Sequence, residues 1–501
     1  MEAFSFTILL LLSSFIFLLT KAWKKSKPRM KCEELLPSPP KLPVIGHLHH
    51  FVGGMPHDAL MRIAQKFGSI LHLKLGEISM VVISSREAAK EVLKIQDPAC
   101  AGRPESIGSM IVTYGYKDIV FSPYDEYWRQ MRKICITELL TVKNVRSFGS
   151  IRKNEISHLV ESLQASSGEI VNLTEKVFAV TSSVICRAAF GKVLRDRDTL
   201  IAMSRKVVAM VGGFYLADLF PSSKLLHILS TWNKYKIFRM QRQLDTILDA
   251  ILEEHKLKQR GEFGGEDLVD VMLRMQDSGE LKIPITNDNI KAIIFDMFSA
   301  GTDSSSITID YAMVELMKNP DVMAKAQAEV REAFKGKKVV EESDLHALNY
   351  LKLIIKETLR LHPPAPFLVR QCIDECKVNG YSIPLKSKIM INVHSMGRDP
   401  EYWHEPESFQ PERFANNSKD FLGNNFDYLP FGAGRRICPG INFALASVEL
   451  PLAQLLYHFD WEMPKGMTPA DIDMTQVGGV TLSRKNGLFV IPTVYNPSSE
   501  N

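Results

Sequence analysis

The chain has 501 residues, with 61 Lys and Arg against 57 Asp and Glu, which gives a net charge of +4. Hydrophobic residues make up 45% and charged residues 24%, a balance that is typical of globular proteins and excludes disordered and fibrous classes. No segment recurs at a period of about 20–50 residues, which excludes solenoids and propellers. Seven scattered cysteines do not form the pattern of a disulfide framework, and their odd number fits a reducing compartment.

The positive charge is concentrated at the amino terminus. Residues 1–31 hold six basic residues and one acid, Glu2, so this segment carries +5 and the rest of the chain carries −1. A nearly neutral body gives no reason to expect nucleic acid as a partner.

An uncharged apolar stretch of 18 residues runs from Ala3 to Thr20. Because about 17–25 residues cross a bilayer as a helix, this stretch predicts one transmembrane anchor over residues 1–20. A cleaved secretory signal is the alternative, but no basic residue precedes the stretch and no A-x-A-like cleavage site follows it. Trp23 and several lysines follow at once, so we expect an uncleaved single-pass anchor with the body in the cytosol.

Residues 21–46 form a basic flank and a proline-rich hinge, which we expect to be extended because proline lacks an N–H donor and fixes φ. In the body, residues 47–501, apolar spacing and caps predict helices over 58–67, 86–95, 232–260, 287–318, 321–335, 349–361 and 441–457. Strand-like runs cover 71–75, 80–84, 388–393 and 487–491. The expected fold class is α+β with helix in large excess: mainly α with small peripheral β-sheets.

Three segments of the body combine helical spacing with polar side chains. Trp128 and Arg132 stand at i, i+4 on one helix face, and Glu357 and Arg360 stand at i, i+3. Midway along the 287–318 helix, the run Ala300-Gly301-Thr302-Asp303-Ser304-Ser305 is poor helix-forming material between apolar turns. It indicates either a tolerated bend, since serine hydroxyls bond to the preceding turn, or a functional opening.

The richest segment is Pro430-Phe431-Gly432-Ala433-Gly434-Arg435-Arg436-Ile437-Cys438-Pro439-Gly440, which precedes an apolar helix. Its glycines allow successive N–H groups to point at one atom, and a following helix start adds a positive dipole end. Both features lower the pKa of a thiol, which predicts that Cys438 is a nucleophile or a metal ligand. Two adjacent arginines predict a large anion close by.

Here the sequence resembles the cytochrome P450 superfamily. Phe431, Gly434, Arg436, Cys438 and Gly440 match every fixed position of its haem-binding loop, F-x-x-G-x-R-x-C-x-G. The family's other motifs follow in order, and the segments 101–105 and 426–436 resemble plant enzymes of the terpenoid and alkaloid hydroxylase group. The resemblance implies a cytochrome P450 fold that binds haem b.

The resemblance also implies the role of each residue in the cysteine loop. Cys438 would be the axial thiolate ligand of the haem iron, which favours cleavage of the O–O bond. Arg436 would bind a haem propionate, and Phe431 would pack near the thiolate and shield it. Glu357, Arg360 and Arg413 of the family's E-x-x-R and P-E-R-F motifs would form a buried charge network behind the haem.

Trp128 and Arg132 match the family's W-x-x-x-R, and both would donate to a haem propionate. Arg370 would be a further propionate partner, although Val369 stands before it where plant relatives commonly carry a proline. Asp303 and Ser304 match the oxygen-handling motif and would deliver protons, with Ser304 in the place of the usual threonine.

The function that follows is a haem-thiolate monooxygenase anchored in the endoplasmic reticulum membrane. It would oxidise a lipophilic plant metabolite, a terpenoid or a terpenoid-derived alkaloid, with O₂ and with NADPH electrons from a separate NADPH-cytochrome P450 reductase. Substrate contacts are expected from residues 103–120, 293–304, 365–369 and 477–481, which are mostly apolar or small. The alternatives are a haem-thiolate isomerase or dehydratase that needs no external O₂, and a non-catalytic membrane haem-binding protein.

Overall fold

The computed structural model describes residues 36–194, 197–211, 215–257, 266–337 and 340–496. The predicted anchor and most of the basic flank lie outside these residues. Within them, no helix combines the length and the apolar character that crossing a membrane requires. In the described part of the hinge, residues 36–46 contain no helix, and the carbonyl of Pro37 accepts the N–H of His72 at 2.8 Å.

The helices and strands of the described residues agree with the predicted excess of helix. The α-helices α1 to α18 span, in chain order, Pro56–Phe67, Arg86–Lys90, Asp97–Cys100, Ile107–Val112, Glu126–Ile134, Val142–Ser147, Gly149–Ala165, Leu173–Phe190, Arg197–Val211, Leu216–Leu219, Lys224–Leu229, Thr231–Leu257, Leu268–Asp277, Asn287–Lys318, Pro320–Ala333, Asn349–Leu361, Val393–Met396 and Ile441–His458. The strands β1 to β11 span Ile70–Leu75, Ile78–Ile83, Val171–Asn172, Phe367–Gln371, Cys376–Val378, Tyr381–Ile383, Lys388–Asn392, Phe459–Glu462, Gln476–Gly478, Leu482–Arg484 and Phe489–Val494.

The chain forms two compact units. The first comprises the described parts of Met1–Gly102, Phe214–Ser230 and Val369–Asn392. It contains β1, β2, β7 and most of β4, which form one sheet in the order β1-β2-β7-β4. Strands β1 and β2 are antiparallel, whereas β2 and β7 are parallel, and strands β5 and β6 form a separate hairpin.

The second unit comprises the described parts of Arg103–Gly213, Thr231–Leu368 and Val393–Asn501, and it contains the long helices. Its hydrophobic core gathers Ala312 and Leu316 of α14, Ile354 of α16, and Leu452 and Leu455 of α18. The small sheets β3-β11-β8 and β10-β9 belong to this unit. The long helix α14 therefore lies in the core along much of its length, since 25 of its residues are buried over Asn289–Met317.

Candidate functional site

A cavity of about 820 Å³ lies within the second unit. This volume is within the range of small-molecule sites, about 300–1,000 Å³. Five of the predicted site residues line it: Arg132, Ser304, Phe431, Arg436 and Cys438. Each of the predicted substrate-contact segments also contributes, including Val120, Met297, Ala300, Leu368 and Val480. The structure therefore brings the cysteine loop and the expected substrate segments to one cavity.

The cysteine loop turns through two glycines with left-handed backbone, Gly432 at φ 73° and Gly434 at φ 70°. These conformations suit glycine because it has no Cβ. The turn places the N–H of Cys438 2.9 Å from the carbonyl of Phe431, and helix α18 begins three residues after the cysteine. Phe431 itself lines the cavity and packs edge-on against Phe421.

The pKa of the Cys438 thiol differs from the sequence-based expectation. Burial raises it, while the N–H of Gly440 and the charge of Arg132 act in the opposite direction. The predicted donors are thus present, but the cost of a buried anion outweighs them. Binding of a metal cation would offset this cost and stabilise the thiolate, as expected of a metal ligand.

Four arginines line the same cavity: Arg103, Arg132, Arg274 and Arg436. Arg274 pairs with Glu266, whereas the other three lie close enough to act on one another. Burial, together with the charges of Arg103 and Arg132, lowers the pKa of Arg436 to about 9. Burial likewise lowers the pKa of Arg103 to about 10. The neighbouring carboxyl of Asp118 opposes both effects, but burial raises its own pKa to about 6. Such a cluster is short of negative charge, so an anionic group fits it.

These features fit haem b. A buried thiol suits the iron, three guanidinium groups suit two propionate carboxylates, and the apolar walls of the cavity suit the porphyrin face. Arg103 was not among the predicted site residues. It lies in the motif 101–105 and at the start of the predicted substrate-contact segment 103–120, and the structure adds it to the candidate haem-binding residues.

Trp128 lies beside this cluster on α5. The carboxylate of Asp125 accepts the backbone N–H of Trp128 at 2.8 Å and caps helix α5. This cap fixes the start of the helix and therefore the position of Trp128. Its indole N–H donates to the carbonyl of Ile119 at 3.0 Å, and the guanidinium groups of Arg132 and Arg436 lie 5.3 Å and 4.4 Å from its ring. Trp128 thus supports two arginines through its ring face, and the predicted donation to a propionate stays a prediction.

Helix α14 spans Asn287–Lys318, as predicted, and continues through the expected opening without a break. A Cβ built on Gly301 would lie 2.8 Å from Cδ1 of Ile185, so the glycine allows α8 to approach closely. The hydroxyl of Ser304 donates to the carbonyl of Ala300 at 2.7 Å, the back-bonding expected of serine in a helix.

The structure separates the two residues assigned to proton delivery. Ser304 lines the cavity, whereas Asp303 is not among the described residues that line it. Burial raises the pKa of Asp303 to about 6, and the charge of Arg205 on α9 acts against this shift. Adjacent helical residues point in different directions, which explains the separation.

Ser305 is a cavity residue that the motif reasoning missed. Its hydroxyl is buried and has no hydrogen-bond partner within the described residues. The sequence spacing indicated this residue, because Ser305 stands four residues after Gly301 and therefore lies one helical turn further along the same face of α14. Thr302, which was not a candidate, does not line the cavity.

The predicted charge network is present in the second unit. Glu357 accepts two hydrogen bonds from Arg360, at 2.7 Å and 2.8 Å, and one from Arg413 at 2.8 Å. The Arg360 guanidinium also donates to the carbonyls of Gly397, Pro406 and Ser408. Glu357 and Arg360 are fully buried, so their charges compensate each other.

Arg370 lies on β4 in the first unit. It is buried, and its guanidinium donates to the carbonyl of Val369 at 3.2 Å. Its role toward a propionate stays a prediction.

Comparisons with known proteins agree with this geometry. The family model "Cytochrome P450" matches residues 36–490. The chain is 56% identical to cytochrome P450 71D13 of Mentha piperita, over 98% of each chain. It is 54% identical to premnaspirodiene oxygenase of Hyoscyamus muticus and 52% identical to 5-epiaristolochene 1,3-dihydroxylase of Nicotiana tabacum, over the full length of each chain.

The fold is similar to that of a zebrafish cytochrome P450 solved with progesterone. The TM-score is 0.75 at 25% sequence identity, and the match covers 88% of this chain and 100% of the other. The family model covers most of the chain, and its haem-binding loop lines one cavity together with Arg103 and Arg132. The chain therefore belongs to the cytochrome P450 family and is a P450 monooxygenase.

Proposed function

We propose that this monooxygenase oxidises a lipophilic plant specialised metabolite, a terpenoid or a terpenoid-derived alkaloid. The observation that carries the proposal is the cavity of about 820 Å³ with Cys438 in its wall. Besides its charged and polar groups, the cavity is lined by many apolar or small residues: Ile119, Val120, Ile185, Ala188, Ala189, Met297, Ala300, Ala365, Leu368 and Val480. Such walls favour a compact molecule with little charge. The names of two relatives, premnaspirodiene oxygenase and 5-epiaristolochene 1,3-dihydroxylase, support a terpenoid.

Family membership implies haem b and electrons from NADPH through a reductase. When bound, the haem supplies the activation of oxygen and the transfer of electrons. The chain supplies the setting: Cys438 would ligate the iron, while Arg103, Arg132 and Arg436 would bind and orient the propionates. The apolar walls hold the substrate and exclude water.

We assign proton handling at the cavity to the hydroxyls of Ser304 and Ser305, which both line it. Ser304 already donates to Ala300, so it offers lone pairs to the cavity and acts there as an acceptor. Ser305 has a hydroxyl proton that is not bound elsewhere in the described residues. Asp303 lies behind them with a pKa raised to about 6, which suits a group that exchanges protons near neutral pH.

The proposed location is the endoplasmic reticulum membrane, with residues 1–20 as a single-pass anchor and the body in the cytosol. The apolar stretch and the basic residues that follow it support this orientation. NADPH-cytochrome P450 reductase is the proposed electron donor, as is usual for the family.

Reconstitution tests the proposed activity. The full chain is combined with NADPH-cytochrome P450 reductase, and a panel of plant terpenoids and alkaloids is screened by mass spectrometry, with Cys438→Ser as the inactive control. We expect products that are heavier by one oxygen atom and that require NADPH. Turnover without NADPH or O₂ would instead identify an isomerase or dehydratase. The absence of both electron transfer and oxygen consumption would identify a non-catalytic haem-binding protein.

A further inference from the structure

One loop orients several of the candidate haem-binding side chains. We call residues 118–122 the carbonyl loop, because its carbonyl groups accept hydrogen bonds from distant parts of the second unit. The carbonyl of Ile119 accepts the indole N–H of Trp128 at 3.0 Å, and that of Ser122 accepts Nη2 of Arg436 at 2.7 Å. The carbonyl of Val120 accepts Nε of Arg103 at 2.7 Å. The positions of these three side chains therefore depend on the position of the loop.

The carbonyl loop has no helical or sheet hydrogen bonding of its own. Its residues are bends between α4 and α5. A buried backbone without such bonding needs side-chain partners to fix its conformation. Within the loop, the carboxyl of Asp118 accepts the N–H of Phe121 at 2.7 Å.

The partner from outside the loop is a carboxyl on helix α14. Oδ2 of Asp296 accepts the N–H of Ile119 at 2.9 Å, and the side chain lines the cavity. Asp296 stands one turn before Ala300, on the face of α14 that carries Ser304. It therefore ties the carbonyl loop to a long helix buried in the core, which is a rigid support.

The function of this contact does not require a negative charge. Burial raises the pKa of Asp296 well above its ordinary value, and the neighbouring charge of Asp118 raises it further. A carboxyl in its neutral form still offers an acceptor oxygen to the N–H of Ile119. An asparagine side chain would offer the same acceptor at nearly the same size.

We propose that Asp296 is a positioning residue for haem binding: by accepting the N–H of Ile119, it fixes the carbonyl loop that holds Trp128, Arg103 and Arg436 in place at the propionate site. This inference rests on the proposed haem site but not on the identity of the substrate. Asp296 acts through the carbonyl loop, and the acceptor oxygen of its side chain is the group that fixes the loop.

Two substitutions of similar size separate the acceptor from the rest of the side chain. Asp296→Leu removes the acceptor, and Asp296→Asn keeps it. We expect haem to transfer from the Leu variant to apomyoglobin about five-fold faster than from the unsubstituted holoprotein, the effect of losing one ordinary hydrogen bond. The resonance Raman bands of the haem propionates should shift in the Leu variant, while those of the Asn variant should not.

Ser306→Ala is the matched control. This hydroxyl is buried on the same helix, but it donates only to the carbonyls of Thr302 and Asp303 within the helix. We expect unshifted propionate bands and an unchanged rate of haem transfer. A general loss of helix stability would lower the unfolding temperature of both Asp296→Leu and Ser306→Ala. A shift of the propionate bands, by contrast, reports the proposed contact alone.

The proposal is overturned if the Leu variant releases haem no faster than Ser306→Ala, or if Asp296→Asn shifts the propionate bands as much as Asp296→Leu. If the Leu variant does not fold, Asp296→Ala replaces it. If neither folds, Asp296→Asn decides by itself, because unshifted bands support the acceptor role and shifted bands contradict it. None of these measurements uses a substrate, so failure of the proposed oxidation would leave the result intact.

Discussion

At the scale of single residues, the proposed proton-handling role of Ser304 depends on where its hydroxyl donates. The Ser304 hydroxyl donates its proton to the carbonyl of Ala300, so the oxygen offers only its lone pairs to the cavity. A threonine at this position would keep the oxygen and add a methyl group that restricts χ1. The serine therefore retains the chemistry of the motif with a less constrained rotamer.

We predict that Ser304→Ala uncouples NADPH consumption from product formation. Without the acceptor oxygen, a several-fold larger share of NADPH should appear as peroxide, while haem content stays the same. Ser304→Thr should couple at least as well as the unsubstituted enzyme, because its rotamer is fixed. The measurement is the ratio of peroxide to product in the reconstituted system, with Ser306→Ala as control. Unchanged coupling in Ser304→Ala together with uncoupling in Ser305→Ala would transfer the role to Ser305.

At the scale of secondary structure, helices with clear caps and one apolar face were predicted well. Helix α14 begins after Thr286 and ends before Pro320, and its predicted bounds match those of the structure. Helix α8, Leu173–Phe190, was not predicted. It is buried on several sides and contains β-branched residues, so it has no single apolar stripe and its pattern does not distinguish a helix from a strand.

The residues of the candidate site also fall into those that the sequence indicates and those that only the structure reveals. Cys438, Arg436 and Phe431 lie within one short motif, so the sequence alone indicated them. Arg103 and Asp296 join the site through backbone groups of residues 119–120, and for Asp296 the partner lies 177 positions away along the chain. Contacts between a side chain and a distant backbone leave no residue pattern in a single sequence, and they become visible only when the loop has a structure.

The contact between α14 and α8 yields a prediction of its own. Because the end of the Ile185 side chain is flexible, Gly301→Ala should be nearly neutral, the better helix propensity of alanine offsetting the crowding. Gly301→Val should lower the free energy of unfolding by about 1–3 kcal/mol through overpacking. Thermal unfolding of the holoprotein measures both. Ile185→Ala should restore much of the loss in the Val background; additivity of the two substitutions would contradict a direct contact.

At the scale of the whole molecule, two features bear on the proposed membrane location: the charge distribution and the surface of the first unit. The basic residues that account for the net positive charge of the chain lie within residues 1–31, directly after the apolar stretch. The first unit adds an apolar surface on helix α11, where Leu225, Ile228 and Leu229 are each about two-thirds exposed. Their spacing of three and four residues places them on one face of the helix. An exposed apolar face of this kind favours an interfacial environment.

We therefore predict that deletion of residues 1–20 converts an integral membrane protein into a peripheral one and does not release it fully. The shortened protein should leave the membrane pellet in alkaline carbonate but not in a low-salt wash, because α11 retains affinity for the bilayer surface. Replacing Leu225, Ile228 and Leu229 by serine in the shortened protein should move most of it to the supernatant. Leu385→Ser, an exposed leucine in a turn of the same unit, is the control. Complete release by the deletion alone would show that the anchor is the sole attachment, and carbonate-resistant binding after it would contradict an anchor in residues 1–20.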